Sequence, residues 1–214
     1  MREYFISKSK YLDLDVTFPH EAMLEEARAL RSRFIAHRDS TSEGWYGLVL
    51  HGLDEHKTGA WKDYGITDPK QAGKQMRWTE AADLAPVTKD YFVNHFPCNK
   101  YSRVRFMLLE AGGYIDFHSD SRGPFIDNIS FVLNSPHGFE WRWQDGSPNL
   151  DMIPGHAYAM NIHYHHGLWN NSNEDRYFII ASRNDSLPAW KQLMINAATK
   201  QGVVGEFIEI DDMP

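Results

Sequence analysis

Two histidines and an aspartate could share one metal ion in this chain. His118 and Asp120 stand two apart in an extended run, and strand residues two apart project to the same side. A histidine arriving from a distant strand would complete two imidazoles and one carboxylate on one face of the ion. That facial set leaves the opposite positions open and suits non-haem Fe(II) that must also hold a co-substrate and dioxygen. His163, His165 and His166 compete for the third place. Neighbouring strand positions face opposite ways, so His165 and His166 cannot both look inward.

Past these histidines, Arg176 opens the apolar run Tyr177-Phe178-Ile179-Ile180. The parity that turns Phe178 and Ile180 inward turns Arg176 inward too, and a buried lone charge is very costly. An anion must meet it. The candidates are an internal carboxylate, such as Asp120 or Glu110, and a ligand carboxylate held by two parallel hydrogen bonds.

The elements that must position these groups are short and extended. Strands are expected at 103–109, then after a Gly112-Gly113 turn at 114–120, and at 126–133, 139–143, 157–162, 167–169 and 176–183. Alternation places Asn128, Ser130 and Val132 on one face of the third, and Phe139, Trp141 and Trp143 together on the fourth. Closely spaced short strands separated by turns indicate a sandwich or barrel. Upstream, 12–16 alternates as a strand, 20–37 repeats at helical spacing, 45–50 is an apolar strand and 79–95 reads as a second helix. Residues 54–75 form a long excursion of the kind that serves as a lid or binding loop. After Pro188 come a short helix and an edge strand over 203–210. We expect a single domain over 1–214, with 1–100 as support, 101–184 as the core and 185–214 as an extension.

A chain of 214 residues can bury one good core. Its net charge of −7 argues against a nucleic-acid partner. The one cysteine, Cys98, forms no internal disulfide and favours a reducing compartment. No signal-peptide pattern opens the sequence and no run approaches a membrane span. A cytoplasmic protein with no membrane or nucleic-acid partner is expected, its oligomeric state open.

Several ordered segments agree with one known family. They are 103–113, His118-Ser119-Asp120, the stretch from Asn161 through Ser172, and Asp175-Arg176-Tyr177-Phe178-Ile179. Asn161 falls five before His166, Asn170 four after it and Arg176 ten after it. Here the chain resembles the Fe(II)- and 2-oxoglutarate-dependent dioxygenases, in their aspartyl/asparaginyl beta-hydroxylase-like branch, which is related to bacterial proline hydroxylases. The resemblance implies a mainly β, double-stranded β-helix (jelly roll, cupin-like) with flanking N-terminal helices. It implies His118, Asp120 and His166 as iron ligands, Arg176 on the distal carboxylate of 2-oxoglutarate, and dioxygen as co-substrate, with ascorbate assisting. Asn128 and Ser130 stand where relatives often carry Arg and His that help hold the co-substrate, and Arg105 could compensate. The implied reaction hydroxylates a C–H bond of an amino acid, peptidyl Asp/Asn or related small molecule, giving succinate and CO2. Arg122, Trp141, Trp143, Trp169 and the 54–75 excursion are the candidate substrate contacts. A non-catalytic jelly-roll module that binds metal or ligand, and a cupin-like enzyme with another metal, remain as alternatives.

Overall fold

The computed structural model describes residues 2–37, 41–120, 123, 125–126, 128–183 and 187–210. In chain order, β1 is Arg2–Ser7, β2 is Tyr11–Asp13, α1 is His20–Ala29, β3 is Ile35–Ala36 and β4 is Ser42–Gly52. Then come α2 (Pro69–Gln75), β5 (Arg77–Trp78), α3 (Glu80–Asp83), α4 (Pro86–Asp90) and β6 (Tyr101–His118). Short strands follow: β7 (Phe125–Ile126), β8 (Asn128–Val132), β9 (Phe139–Trp143), β10 (Ala157–Met160) and β11 (His166–Asn170). The chain continues through β12 (Arg176–Arg183) and α5 (Pro188–Lys200) to β13 (Gly205–Ile210).

The main sheet is antiparallel and runs β2-β10-β8-β12-β6-β11-β9, with β4 along the other edge of β6. Its layout hangs on β6. From Tyr101 to Leu109 this strand pairs with β12, and from Tyr114 to His118 it pairs with β11. Two branches therefore leave one strand and curl towards each other, giving the jelly-roll fold. The expected Gly112-Gly113 turn does not reverse the chain. Gly112 takes a positive φ of 77°, which glycine tolerates, and β4 spans the irregularity with its own register shift. The two expected strands are thus one bent strand.

Alternation sorts each strand between two cores. Val132, Phe178, Met107, Leu168 and Trp141 meet inside the curl. Ile129, Phe131, Ile179 and Phe106 face the opposite way, onto Met23 and Ala27 of α1 and onto Trp190 and Met194 of α5. Phe131 packs its ring against Phe18, Phe92 and Phe96 at centroid distances of 5.3, 5.0 and 5.2 Å. Truncating so well-enclosed a ring to alanine costs about 3–5 kcal/mol.

The helical expectations shorten for identifiable reasons. The helix from His20 stops at Ala29, because the chain must extend at Ile35–Ala36 to pair with Tyr46 and Gly47 of β4. Pro86 breaks the second expected helix: Ala85 before it sits at φ −124°, ψ 63°, so α3 and α4 are separate and a π turn at Tyr91–His95 follows. The 54–75 excursion holds a 3-10 turn at Trp61–Tyr64 and α2. The edge strand near the C-terminus pairs with β1, and β7 covers the other side of β1. No helix among the described residues is long and apolar enough to cross a membrane.

Candidate metal centre

β6 ends at His118 and β11 begins at His166, and these two residues are register partners. Pairing brings the imidazoles together, with ring centroids 4.5 Å apart. Beyond His118 the chain leaves the ladder, and the Asp120 backbone N–H donates to the Ile162 carbonyl at 3.0 Å. That anchor returns the carboxylate to the site, where Asp120 Oδ2 lies 3.4 Å from His118 Nε2. One ligand atom from each of the three residues falls within 4.8 Å of the others.

The orientation of both rings is set by their own strands. His118 Nδ1 lies 2.8 Å from the Asp116 carbonyl, and His166 Nδ1 lies 2.9 Å from the Tyr164 carbonyl. A carbonyl only accepts, so each Nδ1 carries the hydrogen and each Nε2 is the nitrogen turned towards the centre. Burial lowers the His166 pKa to about 4, so its ring is neutral at pH 7. Two imidazoles and a carboxylate form the donor set a divalent iron takes. The residues fit the group. His163 and His165 are exposed and lie in the turn before β11.

Around the centre lies a cavity lined by Ser130, Asn128, Met160, Trp141, Phe178 and Ile180, among others. Trp141 stacks almost parallel on His166, with centroids 4.9 Å apart and planes 6° apart. Ser130 Oγ and Trp141 Nε1 are both buried without a hydrogen-bond partner.

Arg176 is completely buried. Its guanidinium lies between the rings of Phe139 and Phe178, 3.9 and 4.2 Å from their centroids. Nη2 reaches only the Met152 sulfur at 3.0 Å, and Nε and Nη1 have no partner. The internal carboxylates weighed above are engaged elsewhere: Glu110 pairs with Arg31, and Asp120 sits against His118. Burial lowers the Arg176 pKa to about 9, which still leaves it cationic at pH 7. A buried cation with two unpartnered nitrogens is a candidate anion site.

Other expected contacts fall differently. Trp169 points to the outer side of β11, against Phe117 and beneath the Arg142 guanidinium, because it alternates with Leu168. Arg105 is buried but engages the excursion instead of the cavity: its Nη1 donates to the Thr58 carbonyl at 2.6 Å and lies 3.3 Å from His37 Nε2. Arg103 holds the neighbouring Gly59 carbonyl at 2.8 Å. Trp143 belongs to the inner core and carries Lys10 over its ring. Arg122 lies outside the described residues.

Sequence reasoning missed the cage around Arg176, since nothing in the spacing of Phe139 and Met152 signals it. It noted Asn170 without its task. That buried side chain donates to the carbonyls of Leu109, Glu110 and Glu174 at 3.0, 2.9 and 2.8 Å. It ties the bend of β6 to the turn that delivers Arg176. Asn161 does similar work before His166, donating to the Ser7 and Ser9 carbonyls.

Several known proteins are similar to this chain. Among solved structures, a Pseudomonas putida prolyl-4-hydroxylase superposes with a TM-score of 0.48 and 15% identity, over 84% of this chain and 95% of that one. A viral collagen prolyl hydroxylase from Paramecium Bursaria Chlorella virus-1 gives 0.46 and 11%, over 84% and 98%. A Caenorhabditis elegans protein named as a sidekick homolog is 25% identical over 185 residues. This chain spans 8% of that relative's length. The family model for aspartyl/asparaginyl beta-hydroxylase matches residues 21–185. That span takes in β6, β11 and β12 with all three ligand candidates and the caged arginine, and by it the chain belongs to the aspartyl/asparaginyl beta-hydroxylase family.

Proposed function

We propose that this member of a hydroxylase family is an Fe(II)- and 2-oxoglutarate-dependent dioxygenase. It hydroxylates a C–H bond of an amino acid, a peptidyl Asp or Asn, or a related small substrate, releasing succinate and CO2. The observation that carries the reading is Arg176, a fully buried guanidinium with two unpartnered nitrogens and no carboxylate of its own. A diacid co-substrate supplies one.

His118, Asp120 and His166 would hold the iron. Iron and 2-oxoglutarate, once bound, supply the activation of dioxygen through oxidative decarboxylation of the oxo-acid. The chain's own residues do the rest. The Asp116 and Tyr164 carbonyls keep both Nε2 atoms on the metal side. Trp141 fixes the plane of the His166 ring. Arg176 would donate to the distal carboxylate, and Met160, Ile162, Phe178 and Ile180 keep water from the cavity wall. One face of the centre stays open, since Asp120 is exposed while His166 is buried. That is where a substrate can approach.

The test adds 2-oxoglutarate and Fe(II) anaerobically and reads the melting temperature, then admits oxygen and reads succinate. At a hundredfold excess over Kd, binding stabilises by about 2.7 kcal/mol. Arg176→Ala is expected to abolish the co-substrate increment and keep the metal increment. An unchanged melting temperature in the wild type with both ligands would rule the function out. Stabilisation without succinate release, across candidate substrates, would leave a binding module.

A further inference from the structure

Among the described residues, the one acceptor that Arg176 reaches is a thioether. Its Nη2 donates to the Met152 sulfur at 3.0 Å, while Nε and Nη1 have no partner there. A thioether accepts only weakly, so the cation stays open to a better partner. Oxidation of the same sulfur supplies one, because it turns an apolar side chain into a polar one with an S–O dipole. Met152 is buried, yet it sits in the irregular segment between β9 and β10, flanked by exposed Asp151 and Ile153. The Tyr158 hydroxyl fastens that segment, accepting from the Ile153 N–H at 3.2 Å and donating to the Asp151 carbonyl at 3.3 Å. Irregular segments of this kind open locally at free energies well below that of global unfolding. A small oxidant needs no wider opening.

We propose that Met152 is an oxidation site whose sulfoxide closes the anion site of Arg176. Hydrogen peroxide transfers one oxygen to the sulfur. The O–O bond breaks, the sulfur is oxidised by two electrons, and the second oxygen leaves with both hydrogens as water. Three rotatable bonds let the side chain back away and turn its new oxygen onto the guanidinium. Arg176 then holds an internal acceptor, which any ligand carboxylate has to displace. A sulfoxide reductase restores the thioether and reopens the site. What the closure does rests on the function proposed above: an enzyme that consumes dioxygen is shut off as peroxide accumulates. The contact between sulfoxide and guanidinium stands without that reading.

Peroxide is added in steps to the ligand-free protein, and sulfoxides are mapped by peptide mass spectrometry. Calorimetry with Mn(II) in place of iron, so that no turnover occurs, then reads metal affinity and 2-oxoglutarate affinity. Once Met152 is converted, 2-oxoglutarate is expected to bind at least about tenfold more weakly, as for a hydrogen bond to a charged group. Mn(II) affinity is expected to stay within about twofold. Met152→Leu, compared with itself before and after the same dose, is expected to change less than about twofold in 2-oxoglutarate affinity. Met152→Gln, which brings a carbonyl oxygen to the same place, is expected to weaken 2-oxoglutarate about tenfold without peroxide. A ligand-free comparison stands beside these. Met152→Gln is expected to cost at least about 3 °C less in melting temperature in the wild type than in an Arg176→Met background, where the amide oxygen has no cation to meet.

Unchanged 2-oxoglutarate affinity in protein fully oxidised at Met152 overturns the proposal, and so does an equal loss in Met152→Leu. A Met152 that stays reduced while the partly exposed Met76 is fully converted overturns it as well. Untreated wild type that takes Mn(II) but binds no 2-oxoglutarate fails the proposed function instead. The melting temperatures then still decide whether an oxygen at position 152 meets Arg176, and equal costs in the two backgrounds refute the contact.

Discussion

Arg176 shows what one residue can hold in reserve. Its side chain is wrapped by Phe139, Phe178 and Met152, so its positive charge is screened by ring faces and a thioether and by no anion. Cation–π contacts return about 2 kcal/mol at desolvated sites, less than the several kcal/mol that desolvating the ion takes. The ligand-free protein is accordingly less stable than it needs to be. Arg176→Met, which fills similar space without charge, is expected to raise the ligand-free stability by about 1–4 kcal/mol while removing 2-oxoglutarate binding. Denaturant unfolding with and without the co-substrate checks both halves, and a destabilised variant would contradict the account. At this scale the sequence spoke clearly where period two applied. The inward parity of Arg176 followed from alternation, while the choice of His166 over His165 rested on the family resemblance. Trp169 on the outer side of β11 obeys the same alternation, applied one position further. Arg105 was beyond such reasoning, because its partner Thr58 comes from a distant excursion that no local pattern ties to β6.

Among the elements, the turn between β11 and β12 governs how precisely the arginine is delivered. Asn170 fastens it through three carbonyls, and Ser172 Oγ donates back to Asn170 Oδ1 at 2.6 Å. Asn170→Ala leaves those acceptors unmet at the bend of β6. We expect a loss of about 2–3 kcal/mol in stability and a weaker hold on 2-oxoglutarate, with metal affinity nearly intact. Thermal unfolding and calorimetry on the one variant test this, and equal losses of metal and co-substrate would refute it. Strands 139–143 and 176–183 could be bounded from sequence because turn residues flank one alternating and one apolar run. β6 could not. A Gly-Gly pair is a strong local turn signal, and only the distant β4, pairing on both sides of the bend, keeps the strand continuous. The helix expected over 20–37 lost its end to β4 as well, through the pairing of Ile35 and Ala36.

For the whole molecule, acid is the weak flank. Burial lowers both His166 and His51 to about 4, from 6.5. Between those values the unfolded chain binds protons that the folded one refuses, so stability rises with pH there and is complete above about 6.5. Acidifying the metal-free protein from pH 6.5 to 4 is expected to lose on the order of 2 kcal/mol for each histidine. His51 lies far along β4 from the centre, beside Trp78 and Tyr101. His51→Leu should therefore flatten part of the profile without touching metal affinity. A profile that keeps its full slope in that variant would show the cause lies elsewhere.

The shared strand has one more effect. Leu109 of β6 is the register partner of Arg176, and His118 of β6 is that of His166, so one bent strand joins the arginine to the proposed iron ligands. On the proposed function, that strand sets how long a diacid the site accepts. Oxaloacetate, one methylene short, and 2-oxoadipate, one too long, are each expected to miss one of the two contacts and bind far more weakly than the five-carbon acid.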